Sequence, residues 1–136
     1  MNRSPLKQQM VHSSLIALSC LFARPALAAD VEQLFQSALP NVSGKDFTVI
    51  TVAYPPGVKS KPHRHGQAFL YAYVLEGSIR NQVEGEPVHI YEEGEGWSES
   101  PGAHHVVSEN ASETEPAKML VVFVADPKSE LSVTDP

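Results

Sequence analysis

Alternating apolar and polar positions dominate the chain from residue 46 onward and predict a series of short β-strands. Each predicted strand ends in a cluster of glycine, proline or acidic residues. The predicted strands are Phe47–Tyr54, Ala68–Leu75, Ser78–Val83, Val88–Tyr91, Trp97–Ser100, Ala103–Ser108 and Lys118–Ala125. Short strands separated by such turns, without alternating helices, are typical of a β-sandwich or barrel, so we predict a single all-β domain.

The segment that precedes these strands has a different period. Val31, Leu34, Phe35, Ala38 and Leu39 follow helical spacing. Asp30 can cap such a helix, Gln33 is placed as its capping-box partner, and Pro40 would end it. We therefore predict a short N-terminal helix and lead-in over residues 29–45. The polar residues 127–136 after the last strand are predicted to form a flexible tail.

Residues 1–28 are typical of a cleavable export signal. Arg3 and Lys7 form a basic start, Ser14–Ala23 is a short apolar run, and Ala26–Ala28 is a small-x-small cleavage pattern. A lipoprotein signal at Cys20 and an N-terminal core helix are the alternatives. We expect a periplasmic or secreted protein without stable membrane insertion, because the apolar run is too short to span a bilayer.

Charge and cysteine content narrow the classes of partner and cofactor. The predicted signal contains three of the ten basic residues and none of the sixteen acidic ones, so the remaining 108 residues carry a net charge of −9. This charge argues against nucleic-acid binding and against docking on anionic lipid. Cys20, the only cysteine, would leave with the signal, which excludes a disulfide, an iron–sulfur cluster or a cysteine-based zinc site in the mature protein.

The histidines carry the clearest chemical signal. His63 and His65 are two residues apart, so on a β-strand their imidazoles would point to the same face. His105 follows the turn at Pro101-Gly102 and is a candidate third ligand. Two or three imidazoles on one face of a β-rich domain can hold one metal ion.

These residues resemble the two sequence motifs of the cupin family. Gly57, then five residues, His63-Arg64-His65 and later Gly77 are similar to the first motif. The second motif is similar to Gly94-Glu95, followed by Pro101 to His105 and Asn110. The resemblance implies an RmlC-like jelly-roll barrel, the cupin double-stranded β-helix, with the cupin domain over residues 46–126.

The resemblance also implies a set of metal ligands. His63, His65 and His105 fall on the family's three histidine positions, and His104 would point to the opposite face. The position of the family's glutamate, seven residues before Gly77, is Leu70, which cannot bind a metal. The three histidines leave open coordination positions. Gln67 is one candidate for a fourth ligand, and Glu99 is another, which could instead act as a general base.

Two functions remain open on the sequence, because cupins include many enzymes and many binding proteins. The first is a metal-dependent oxygenase or isomerase that acts on a small molecule. The second is a non-catalytic cupin that binds a small ligand or a metal. Apart from these two functions, the chain could be a barrel that kept the fold of the family but lost its metal. Imidazole ligands suit divalent Fe, Mn, Zn, Ni or Cu. Because cupins often associate through outer strands, the aromatic stretch Phe69–Tyr73 is a candidate surface for a homodimer.

Overall fold

The computed structural model describes residues 28–136, which form ten β-strands and no helix. The predicted export signal lies almost entirely outside these residues, since only Ala28 is among them. The strands are β1 (Asp30–Ala38), β2 (Asp46–Tyr54), β3 (His63–Arg64), β4 (Phe69–Glu76), β5 (Ser78–Val83), β6 (His89–Glu92), β7 (Gly96–Glu99), β8 (His104–Asn110), β9 (Ala117–Ala125) and β10 (Val133–Thr134). The predicted all-β class is therefore confirmed, and the described part of the chain contains no helix that could cross a membrane.

Two five-stranded antiparallel sheets pack face to face. Their strand orders are β1-β2-β9-β4-β7 and β10-β3-β8-β5-β6, so that most neighbours in space are distant in the chain. This topology is the jelly-roll barrel expected from the sequence motifs. The paired central strands of the first sheet, β2 and β9, are in register over their full lengths.

The core lies between the sheets, and most of its apolar side chains come from the inner face of the first sheet. Along β9, every second residue is buried, from Ala117 to Ala125. Along β4, Leu70, Ala72 and Val74 are buried, whereas the side chains between them face outward and are exposed. The two-residue alternation read from the sequence is thus the inside–outside pattern of the barrel wall.

The helix predicted for the N-terminal segment is wrong. Asp30–Ala38 forms β1, which pairs antiparallel with β2 along its length. The register shifts between Gln33 and Phe35, and this bulge at Leu34 interrupts the two-residue alternation. The interruption produced apolar spacing that resembles a helix, and pairing with the free edge of β2 satisfies the backbone of the segment instead.

The structure also differs from the flexible tail predicted over residues 127–136. Val133 and Thr134 form β10, which pairs with Arg64 and His63 of β3. The backbone N–H of Asp135 donates to the carbonyl of Pro62, at 3.0 Å. The end of the chain therefore lies against the strand that carries the first two histidines.

A buried asparagine joins the strand ends on the opposite side of the barrel. The side-chain amide of Asn110, at the end of β8, donates to the carbonyls of Tyr54, Pro55 and Glu115 at 2.8–3.2 Å. Its side-chain oxygen accepts from the backbone N–H of Ser112 at 2.8 Å. All the polar atoms of this buried amide are thereby used to hold one arrangement of β2, β8 and the loop before β9.

Gly77 connects the two sheets between β4 and β5 and is under two constraints. Its backbone has a φ of +69°, and an added Cβ would overlap the carbonyl of Pro116. Gly85 also has a positive φ, of +85°, but open space around the position of a Cβ. An alanine at Gly77 would therefore meet both backbone strain and steric overlap, whereas an alanine at Gly85 would meet backbone strain alone.

We expect Gly77→Ala to lower the free energy of unfolding by about 3 kcal/mol or more, because strain and overlap both contribute. Gly85→Ala, the matched control, should lower it by only about 1 kcal/mol. Urea denaturation of the two variants beside the wild type measures both values. Equal losses would show that the close approach at Gly77 is not important for stability.

Candidate metal centre

Three histidines meet on the inner face of the second sheet. His63 on β3 lies directly opposite His105 on β8, and His65 follows β3 on the same side as His63. The ring centroids are 4.7 Å apart for His63 and His65 and 4.9 Å apart for His63 and His105. One ring nitrogen from each residue can be chosen so that all three lie within 4.8 Å of one another. The predicted set of three histidines is brought together.

Hydrogen bonds to backbone carbonyls fix the tautomers of the first two histidines. His63 Nδ1 lies 2.8 Å from the carbonyl of Lys61, and His65 Nδ1 lies 2.6 Å from the carbonyl of Leu131. A carbonyl can only accept a hydrogen bond, so each Nδ1 carries the hydrogen. Each Nε2 therefore has a free lone pair, which is the form that binds a metal.

His105 is the most deeply buried of the three, with 3% of its surface exposed. Neither of its ring nitrogens has a hydrogen-bond partner among residues 28–136. Its Nδ1 lies 3.3 Å from Oε1 of Glu99. A buried imidazole without a partner is costly, and a bound cation would provide one.

Burial keeps these imidazoles neutral. It lowers the pKa of His105 to about 3, with further lowering from charge on His63 and His65. Burial also lowers the pKa values of His63 and His65, although their backbone hydrogen bonds oppose the effect. Because metal binding requires deprotonated imidazoles, the three side chains are already in the ligating state at neutral pH.

Glu99 lies beside the histidines, as the sequence suggested. It is on β7, with 3% of its surface exposed, and burial raises the pKa of its carboxyl, partly offset by a hydrogen bond from Trp97. Its Oε1 accepts that bond from the Trp97 indole at 3.0 Å. Its Oε2 has no hydrogen-bond partner among the described residues and lies 3.8 Å from His65 Nε2.

Two other predicted positions lie elsewhere. Gln67 is exposed and does not line the cavity, so the structure does not bring it to the histidines. The reason is a tight turn: Ala68 N–H donates to the His65 carbonyl at 3.0 Å, and Gly102 N–H donates to the Gly66 carbonyl at 2.7 Å. Gln67 is at the tip of this turn. His104 points away from the site, as predicted, and its Nε2 lies 2.7 Å from Asp135.

The C-terminal segment supplies contacts that the sequence analysis missed. Leu131, Ser132 and Thr134 line the cavity, and the Leu131 carbonyl orients His65. A backbone carbonyl leaves no signature in side-chain patterns, and the segment is polar and short, so no sequence signal would have identified it. Trp97, which holds Glu99, was also missed, although its position two residues before Glu99 places both on one face.

The histidines form one wall of a cavity of about 650 Å³ between the two sheets. This volume is typical of sites for small molecules. Apolar side chains form the opposite wall, among them Val52, Met119 and Val121. Three neutral nitrogen donors beside such a cavity suit a divalent cation that is intermediate between hard and soft. They also leave coordination positions free for a small molecule.

The chain is similar to one protein family and to several solved structures. The family model described as "Cupin domain" matches residues 50–123. No curated protein sequence matches the chain. The solved structure of DMSP lyase DddQ from Ruegeria pomeroyi DSS-3 has a TM-score of 0.65 and 20% identity, covering 79% of this chain and 51% of that one. This chain thus spans about half the length of that lyase.

Two further solved structures are matched over more of their own length. TT1209 from Thermus thermophilus has a TM-score of 0.59 and 27% identity, covering 74% of this chain and 86% of that one. An RmlC-like cupin family protein with a double-stranded β-helix fold from Methanocaldococcus jannaschii has a TM-score of 0.59 and 18% identity. That similarity covers 85% of this chain and 96% of that one. These similarities agree with the jelly-roll architecture.

Deleting residues 131–136 should weaken metal binding by about 10- to 100-fold, because it removes the carbonyl that orients His65. Isothermal titration with Zn²⁺ measures the change. Leu131→Met is the matched control, since it retains the backbone carbonyl, and its affinity should stay close to that of the wild type. An unchanged affinity in the deletion variant would contradict a role for the tail in positioning this ligand.

Proposed function

This chain belongs to the cupin family, and we propose that it is a metal-dependent enzyme that acts on a small molecule inside its barrel. One observation carries the proposal: three imidazoles converge on the wall of a cavity large enough for a small molecule. His63 and His65 present Nε2, and His105 has a free nitrogen, so the donor set fits one divalent cation. Such a cation supplies Lewis-acid polarisation and open coordination positions.

The polar groups of the cavity suggest how a substrate is oriented. Tyr54 lies 2.7 Å and 2.9 Å from the hydroxyl oxygens of Ser60 and Ser108. Burial raises the pKa of the Tyr54 hydroxyl, so this cluster remains neutral and can both donate and accept hydrogen bonds. Together with the apolar wall, it favours a small substrate with an apolar body and one hydrogen-bonding group.

The reaction class that we propose is that of an oxygenase or an isomerase. Divalent Fe or Mn would serve the first, whereas Zn, Ni or Cu remain candidates on ligand chemistry alone. The similarity to DMSP lyase DddQ shows a shared fold, and that protein is an example of a lyase on the same architecture. It does not transfer a substrate to this chain.

A non-catalytic binding protein is the second candidate, and one observation favours it. Among the described residues that line the cavity, Glu99 is the only carboxylate. The described lining therefore contains no pair of carboxylates that could divide the roles of general acid and general base. In this reading, the barrel binds a metal or a small ligand without converting it.

Native wild-type protein should contain about one equivalent of metal, and a His63→Ala/His105→Ala variant should contain almost none. Elemental analysis measures this content, with the exposed His89→Ala as the matched control. Removing the metal with a chelator should abolish turnover in a panel of small-molecule substrates, and adding it back should restore turnover. Equal metal content in all three proteins would refute the site. Metal-loaded protein that binds ligands but turns over none of them would favour the binding protein.

We also propose that the protein is exported after cleavage at Ala28, because residues 1–28 have the order of features of a signal peptide. N-terminal sequencing of the protein from the periplasmic fraction should begin at Ala29. Intact Met1 in protein recovered from the cytoplasm would contradict export, and a lipid-modified Cys20 would favour the lipoprotein alternative.

The homodimer is a further proposal. Phe69, Tyr71 and Tyr73 are exposed on the outer face of β4, where a second copy of the chain could pack. Sedimentation equilibrium of the wild type beside Tyr71→Glu would separate a dimer from a monomer.

A further inference from the structure

Glu99 is a buried carboxylate with one unused oxygen. The side chain lies inside the barrel, and Oε2 has no hydrogen-bond partner among residues 28–136. An ionised carboxylate that is removed from water without a partner is strongly unfavourable. A fold that retains one at the wall of a cavity therefore requires a specific reason.

Basic side chains of the described residues do not supply this partner. Arg80 and Lys59 both form ion pairs with Glu109 on β8 instead. Within 4.0 Å, the only basic groups that the described part of the chain places beside Glu99 are the imidazoles of His65 and His105. Neither imidazole donates a hydrogen bond to Oε2, which stays without a partner among the described residues.

Oε2 lies near the free ring nitrogen of one of the three histidines. It lies 3.8 Å from His65 Nε2, the nitrogen that the Leu131 carbonyl leaves available. Oxygen and nitrogen ligands of one divalent ion each lie about 2.0–2.2 Å from it, so their mutual separation is about 3–3.5 Å. A side-chain adjustment of less than about 1 Å would bring Oε2 into the same coordination sphere.

The strand pairing explains how the carboxylate reaches this place. Glu99 on β7 lies directly opposite Leu70 on β4. Opposite residues of an antiparallel pair share a face, with Cβ atoms about 4.5–5.5 Å apart. A carboxylate at position 99 therefore enters the cavity beside the point from which one at position 70 would enter.

The geometry points to Glu99 Oε2 as the fourth protein ligand of the metal centre, supplied by β7 instead of β4. This inference rests on the proposed three-histidine site and names the residue that completes it. The bound ion would then be held by three neutral nitrogens and one carboxylate oxygen.

The other oxygen of Glu99 is held in place by Trp97. The indole N–H donates to Oε1 at 3.0 Å, and the Trp97 ring stacks on Tyr91 with centroids 4.6 Å apart. Oε1 is also 3.3 Å from His105 Nδ1, so it can accept a hydrogen bond from that imidazole when Nε2 binds the ion. Trp97 thus acts as a positioning residue for Glu99.

Cobalt titration of the purified protein tests this assignment, since the visible absorption bands of bound Co²⁺ depend on which atoms coordinate it. Glu99→Gln should lower Co²⁺ affinity by about 100-fold or more and change the absorption spectrum, because it removes a charged ligand. Glu93→Gln, on the exposed turn before β7, is the matched control and should change neither quantity. The Leu70→Glu/Glu99→Leu variant, which returns the carboxylate to β4, should recover affinity to within about tenfold of the wild type.

The stability of the metal-free protein separates a ligand from a structural residue. Glu99→Gln should leave the metal-free melting temperature unchanged or raise it, because it removes a buried charge while retaining a hydrogen-bond acceptor for Trp97. A clear fall in this temperature, with an unchanged cobalt spectrum, would show that Glu99 only supports the fold.

The outcomes distinguish this inference from the proposed function. A wild type that binds Co²⁺ through the histidines, with the same spectrum in Glu99→Gln, overturns the fourth ligand and leaves the three-histidine site intact. A wild type whose Co²⁺ binding is unaffected by His63→Ala/His105→Ala overturns the proposed site itself. If the Leu70→Glu/Glu99→Leu variant does not fold, the spectrum of Glu99→Gln decides the question alone.

Discussion

The register between β3 and β8 places His63 directly opposite His105, and the geometry of the site depends on this pairing. β3 is only two residues long, so it cannot hold its position by its own ladder alone. It lies between β8 on one side and β10 on the other, and both pair with the same two residues. A shift of one residue in the pairing of β3 with β8 would place His63 and His105 on opposite faces of the sheet. The C-terminal strand is therefore part of the framework of the site.

The same burial that shapes the barrel sets the charges of the site. An apolar cavity disfavours both a protonated imidazole and an ionised carboxylate, so it lowers the pKa of His105 and raises that of Glu99. These two shifts have opposite directions but a common cause. Both groups are left without full hydrogen bonding among the described residues. A divalent cation would relieve both costs at once, since it needs neutral imidazoles and an ionised carboxylate.

Much of the fold and the three histidines could be predicted from the sequence. Alternation identified the strands that bury one face, because side chains on a strand have a strict two-residue period. His63 and His65 followed from that period, and His105 followed from the motif around Gly102. The N-terminal strand could not be recognised in the same way, because the bulge at Leu34 changed its period and the free edge of β2 decided its conformation. Local pattern does not contain information about an unpaired edge elsewhere in the chain.

Glu99 shows a different limit of sequence reasoning. The gap at Leu70 was visible in the sequence and Glu99 was one candidate to fill it, but the pairing that places Glu99 opposite Leu70 was not visible, because β4 and β7 join positions 29 residues apart. A metal site requires a donor atom at one position in space. In an antiparallel sheet, either of two opposite residues on neighbouring strands can supply that atom. Leu70 can then serve the core, where it packs with 2% of its surface exposed, while the carboxylate enters from the opposite strand. The absence of a glutamate at one motif position is therefore weak evidence against a carboxylate at the site, until the cross-strand neighbour has been identified.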